Sequence, residues 1–141
     1  MTREDLDELL NVVLPFAQRM LGESGEFYPF GAVLTMDGKS RMISGFADAD
    51  HPPSDRVIDL LVSQVREGAQ RKEFRATALC SDVRIRHPDS GEETDAIEVR
   101  LEDRDGDALD VFVPYQEEES DRYVYGELLA MHAIPRVFGA R

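Results

Sequence analysis

Asp103, Asp105, Asp107 and Asp110 fall within the eight residues DRDGDALD, and acidic turns of this kind can present oxygen ligands to calcium. In an EF-hand loop the glycine stands at about the sixth position and a bidentate glutamate follows at a distance. Counted from Asp103, Gly106 stands fourth, and Leu109 and Val111 already alternate as a strand. These four aspartates are the only metal candidates, and the expectation is a β-turn with solvated acids and neither metal nor cofactor.

Other reactive types are scattered. His51 precedes two prolines, His87 lies on a turn and His132 lies near the end of the last extended segment, so no pair has ligand spacing. Cys80, the single cysteine, sits in the apolar run of FRATALCSDVRIR, where a thiol behaves as a small hydrophobe. There is no phosphate-cradling glycine loop and no Gly-x-Ser-x-Gly elbow. No catalytic residue is assigned. Tyr115, Tyr123 and Tyr125, with Arg122 beside them, are expected at the ends of neighbouring strands, and aromatic residues with arginine are common anchors of protein contacts.

These residues must be positioned by a single domain of 141 residues. Its 42% hydrophobic and 32% charged content is globular usage, and no run approaches the roughly 20 apolar residues of a membrane span. Twenty-nine acidic against sixteen basic residues give a net charge of −13, which disfavours nucleic acid and anionic membrane as partners and leaves a protein partner or self-association open. The acidic start MTREDLDELL is unlike a targeting peptide, and with one cysteine the expected compartment is the cytoplasm.

A first helix is expected from a Thr2 cap, with Asp5 as capping-box acid and Leu6, Leu9, Leu10, Val13, Ala17, Met20 and Leu21 as its apolar stripe. Gly22 should end it and Pro15 should bend it. Phe27–Met36 and Lys39–Phe46 flank Asp37-Gly38, the chemistry of a two-residue type I′ hairpin turn. A second helix should run from Ser54 or Asp55 to about Arg71, buried through Val57, Ile58, Leu61, Val62, Val65 and Ala69.

Four extended segments follow. Phe74, Ala76, Ala78 and Cys80 should share a face, as should Ile97, Val99 and Leu101 with Glu98, Arg100 and Glu102 outward, and then Leu109, Val111, Val113 and Tyr115. QEEESD reads as an acidic loop before a last segment around Val124. The order α-β-β-α-β-β-β-β implies an α+β fold, a mostly antiparallel sheet of about six strands with two helices.

The stretch FYPFGAVLTMDGKSRMISGF resembles the opening hairpin of cytidine-deaminase-like proteins. That family's zinc site needs a His or Cys followed by Glu at the next helix and then Pro-Cys-x-x-Cys. Here the helix begins SDRVIDLL and Cys80 stands alone, so the hairpin comes without the zinc ligands. Over its whole length the chain resembles small acidic bacterial proteins of unknown function, through EFYPFGAVL, VIDLL and DAIEVRLEDRDGDALDVFVPY. That resemblance implies a fold and no activity. The leading expectation is a non-enzymatic protein-interaction or accessory domain with an acidic surface. The alternative is a small-molecule-binding domain or enzyme with a pocket between helices and sheet, near Gly31, Arg41 or Asp82.

Overall fold

The computed structural model of the protein describes residues 3–44, 54–119 and 122–138. Two helices, α1 (Arg3–Ser24) and α2 (Ser54–Gln70), pack on one sheet of seven strands: β1 (Phe30–Thr35), β2 (Ser40–Ser44), β3 (Phe74–Arg86), β4 (Glu93–Asp103), β5 (Ala108–Glu119), β6 (Arg122–Tyr125) and β7 (Leu129–His132). The α+β order read from the sequence is the observed one, with the last extended segment divided into β6 and β7. All pairings are antiparallel in the order β2-β1-β3-β4-β5-β6, and β7 also pairs with β5. Because β2 and β3 both flank β1, they run parallel to each other, and α2 is the crossover that joins them.

Helix α1 persists through Pro15 as one element. Leu6, Leu9 and Val13 before the proline and Ala17 and Leu21 after it are buried as one row, while Pro15 lies exposed, where water can take the carbonyl it leaves unpaired. Packing on both sides therefore outweighs the lost donor. The expected cap Thr2 lies outside the described residues, and Asp5 instead receives Arg75, whose Nη2 donates to Oδ1 at 2.8 Å. The helix stops at Gly25 rather than Gly22. Gly25 has φ +77° and its N–H donates to the Leu21 carbonyl at 2.8 Å.

The first hairpin differs from the expected type I′ turn. Only Gly38 has positive φ, +88°, and the Gly38 N–H donates to the Thr35 carbonyl while the Thr35 N–H donates to the Lys39 carbonyl. These bonds make a three-residue loop, Met36–Gly38, a type I turn closed by a left-handed glycine. Asp37 keeps an ordinary conformation and accepts a hydrogen bond from the Thr35 hydroxyl.

One face of the sheet carries Phe30, Ala32, Leu34, Ala76, Ala78, Cys80, Ile97, Val99, Leu101, Val111, Val113 and Tyr115, and α1 closes over it with Leu6, Leu9, Val13, Ala17 and Leu21. On the other face α2 sets Val57, Leu61 and Val65 against Val33 and Leu79. Phe74, expected with Ala76, belongs to this second cluster. A bulge is the cause: Leu34 pairs with Ala76 and Thr35 with Phe74, so Arg75 is skipped and the face changes. Gly68 in α2 makes room, since a Cβ there would come within 2.1 Å of the Phe74 ring.

The residues of β4 expected outward are also covered. Glu98 and Glu102 are buried: Glu98 accepts from the Ser81 hydroxyl at 3.3 Å beside Arg100, and residues 133–138 cross Glu102 on the α2 face as a strap. The Glu102 carboxylate accepts from the backbone N–H groups of Arg136 (2.8 Å), Val137 (2.8 Å) and Phe138 (3.2 Å). Arg136 closes a two-pronged ion pair with Asp110, at 2.9 and 3.1 Å, and Arg66 of α2 donates to the Arg136 carbonyl at 2.6 Å. The charge on Glu102 is thereby met inside the protein by three fixed donors.

Candidate functional site

Strand β3 has 13 residues and β1 only 6, so β3, β4 and β5 run past β1 and form, with β6, a projecting end of the sheet. Strand alternation places Asp82 of β3, Asp95 of β4, Tyr115 of β5 and Tyr123 and Tyr125 of β6 on the α1 face of that end. The structure thus brings the three tyrosines together. The ring centroids of Tyr115 and Tyr123 are 5.7 Å apart at 63°, and those of Tyr115 and Tyr125 are 6.3 Å apart at 50°. These are the edge-to-face and tilted arrangements that aromatic quadrupoles favour. Arg122 is exposed at the start of β6, opposite Glu119, and alternation turns it away from the rings.

Tyr115 joins the group: Tyr123 and Tyr125 pack on its ring, and its hydroxyl donates to Oδ1 of Asp82 at 2.5 Å. Burial raises the Asp82 carboxyl above the ordinary aspartate range; the Tyr115 hydrogen bond opposes this, while the negative charges of Asp95 and Glu26 add to it. Burial also raises Tyr115, followed by its bond to Asp82 and the nearby carboxylates, so the phenol keeps its proton and serves as donor. Tyr125 is raised by burial and then by Tyr123. Arg84 is held away from Asp82 by its own bonds, Nη1 to Asp95 at 3.0 Å and Nε to Glu93 at 3.3 Å.

Two open grooves meet at Tyr115. One, of about 410 Å³, runs over His87, Glu92, Glu93, Thr94, Pro114, Val124 and Gly126. The other, of about 350 Å³, runs over Arg84, Glu93, Asp95, Gln116 and Glu117. Glu117, expected in a loop, lies in β5, so the acidic run Glu117–Glu119 is a strand flank of this end. Tyr115 is itself buried in the α1-face core, with Tyr123 and Tyr125 half-buried against it, so the end offers a partner the outer parts of Tyr123 and Tyr125, beside Glu117 and the Arg84 cluster with Glu93 and Asp95.

The aspartates of the β4–β5 turn do not converge. Asp103 Oδ1 accepts from the N–H groups of Asp105 (2.9 Å) and Asp107 (3.1 Å), which builds the turn, and Asp110 is engaged by Arg136. Burial raises the Asp103 carboxyl, against the pull of the Asp107 and Asp105 amides, and its Oδ2 is buried without a hydrogen-bond partner. Among the described residues no three His, Cys, Asp or Glu side chains are placed to hold a metal ion. Cys80 is buried, and its thiol is raised by burial first and then by Asp82 and Glu98. His51 lies outside the described residues, His87 accepts from the Asp89 N–H in its turn at 3.1 Å, and His132 is exposed at the end of β7.

Gly31, Arg41 and Asp82 do not share a pocket. A Cβ at Gly31 would stand 2.6 Å from the Ala78 carbonyl, so strand packs on strand there, while Arg41 is exposed on β2 and Asp82 lies on the projecting end. Sequence reading missed the role of Asp82 as acceptor for the Tyr115 hydroxyl and the clamp of Glu102, Arg136 and Asp110. The polar pattern of β4 contained a signal for the second, since three charged residues alternate on a strand whose other face is core. No helix among the described residues is long and apolar enough to cross a membrane. No known protein family, curated protein or solved structure matches the chain, so the projecting tyrosine end is read from its own chemistry.

Proposed function

We propose that this chain is a non-enzymatic protein-interaction domain whose projecting tyrosine end receives a basic segment of another protein. The observation that carries this reading is the packing of the half-buried Tyr123 and Tyr125 of β6 against Tyr115, whose hydroxyl donates to Asp82, with Glu93, Asp95 and Glu117 on the same face. Tyrosines combine a large apolar face with a polar tip at low entropic cost, which suits them to the centre of an interface. Acidic neighbours add speed and orientation to the approach of a cationic partner. The net charge of −13 extends the same attraction over the whole molecule.

Affinity capture from the native cell with three immobilised proteins tests the reading. The wild-type chain and Arg122→Ala are expected to retain the same basic protein, released by raising the salt. Tyr123→Ala combined with Tyr125→Ala is expected to lose it while keeping a cooperative melt. A captured set that is identical with and without the two tyrosines overturns the proposal.

A further inference from the structure

At the opposite end of the strand order, β2 forms the outer edge of the sheet among the described residues. The Thr35 N–H donates to the Lys39 carbonyl, so ladder alternation turns the backbone groups of Arg41 and Ile43 toward β1 and those of Ser40, Met42 and Ser44 outward. Helix α1 does not close over this edge. Between them runs an apolar groove of about 310 Å³ that includes Phe16, Met20, Phe27, Phe30 and Met42. Met42 is 41% exposed.

Two arginines flank this edge among the described residues. Arg19 lies over the Phe16 ring, 5.1 Å from its centroid, and Arg41 is exposed on β2, on the opposite face of the strand from Met42. Neither has a carboxylate within ion-pair distance among the described residues. Outward backbone groups that no other strand pairs among the described residues, an apolar groove on one face with Arg19 beside it, and Arg41 on the other face form a receptor for a strand with a specific pattern.

We propose that β2 docks an extended, acidic segment of a protein partner by strand addition. The residue opposite Met42 shares its face and enters the groove. Its two sequence neighbours fall on the face of Arg41 and carry carboxylates to it. The site is separate from the tyrosine end and does not depend on it.

A display library of random short peptides, panned on the whole chain, tests this. Enriched sequences are expected to alternate apolar residues with Asp or Glu, and one of them, synthesised and labelled, is expected to bind in fluorescence anisotropy. Arg41→Glu is expected to weaken it by about tenfold or more. Met42→Pro removes an outward N–H at an edge position that tolerates proline, and is expected to weaken it as much. Both variants should melt as the wild type does; if Met42→Pro does not, Arg41→Glu decides. Failure to enrich any sequence, enrichment of basic or helically patterned sequences, or unchanged binding to Arg41→Glu overturns the proposal. Sedimentation showing a dimer that Arg41→Glu dissolves overturns it too, in favour of a second copy of the chain on this edge.

Discussion

On one face of the sheet, α1 lays a row of leucines, valine and alanine over strands that answer with side chains of the same kind; on the other, α2 covers β1 and β3, and a strap held by charged groups covers part of the rest. The first closure is non-directional, and each side chain contributes in proportion to the apolar area it removes from water. The second is directional. It takes a carboxylate out of water, at a cost of several kcal/mol, and offsets that cost through three backbone donors and a neighbouring ion pair. Losing a part of the first should loosen the whole domain, whereas losing a part of the second should release one segment.

The largest difference is expected between Leu34→Ala and Glu102→Ala. Leu34 is fully buried under α1, and its truncation should cost about 3–5 kcal/mol, read as a lower denaturation midpoint. Glu102→Ala leaves three backbone N–H groups without an acceptor, but the strap can lift and hydrate them, so the loss should stop at about 2–4 kcal/mol. Hydrogen exchange separates the two. Amides of Arg136, Val137 and Phe138 should lose protection in Glu102→Ala while those of β3 and β4 keep most of theirs, and Leu34→Ala should lower all of them together. Equal loss in both variants would remove the distinction between the two faces.

Gly68→Ala should act at the seam between α2 and the sheet. Alanine favours a helix by about 1 kcal/mol over glycine, so an open position would gain stability. Here the new Cβ meets the Phe74 ring at 2.1 Å, and the ring is packed between α2 and β3. Displacing it should turn the gain into a net loss of about 1–3 kcal/mol, measured by urea denaturation. Adding Phe74→Leu should recover part of that loss.

Much of the α1 face was legible because it depends on periodicity. Leu6, Leu9, Val13, Ala17 and Leu21 repeat at helical spacing, Ile97, Val99 and Leu101 alternate, and local sequence is enough to sort both. Phe74 was misassigned because the bulge at Arg75 breaks alternation, and a bulge is set by pairing with β1 about forty residues away. The strap was legible only as charged residues alternating on β4, and its course was not. Glu102 and Val137 are separated by 35 residues and joined by backbone donors, which carry no residue signature. At the tyrosine end, the aromatic types and strand ends were visible, whereas the bond of Tyr115 to Asp82 depends on a register among β3, β4 and β5 that spacing does not fix.

The smallest effect concerns an acid on the α1 face. Asp103 holds its turn through Oδ1, while Oδ2 is buried without a hydrogen-bond partner and burial raises the carboxyl. The unfolded chain releases this proton near pH ~3.9. Below that value both states are protonated and the group contributes nothing. As pH rises through it, the unfolded state ionises first, stability falls, and the loss becomes constant once pH has passed the raised folded-state value. Asp103→Asn keeps an acceptor for the Asp105 and Asp107 amides and removes the ionisation. Its melting temperature should therefore match wild type at low pH and exceed it near neutrality, with the gap opening above the ordinary aspartate range. A gap that is constant with pH would mean that burial in this face does not disfavour the Asp103 charge.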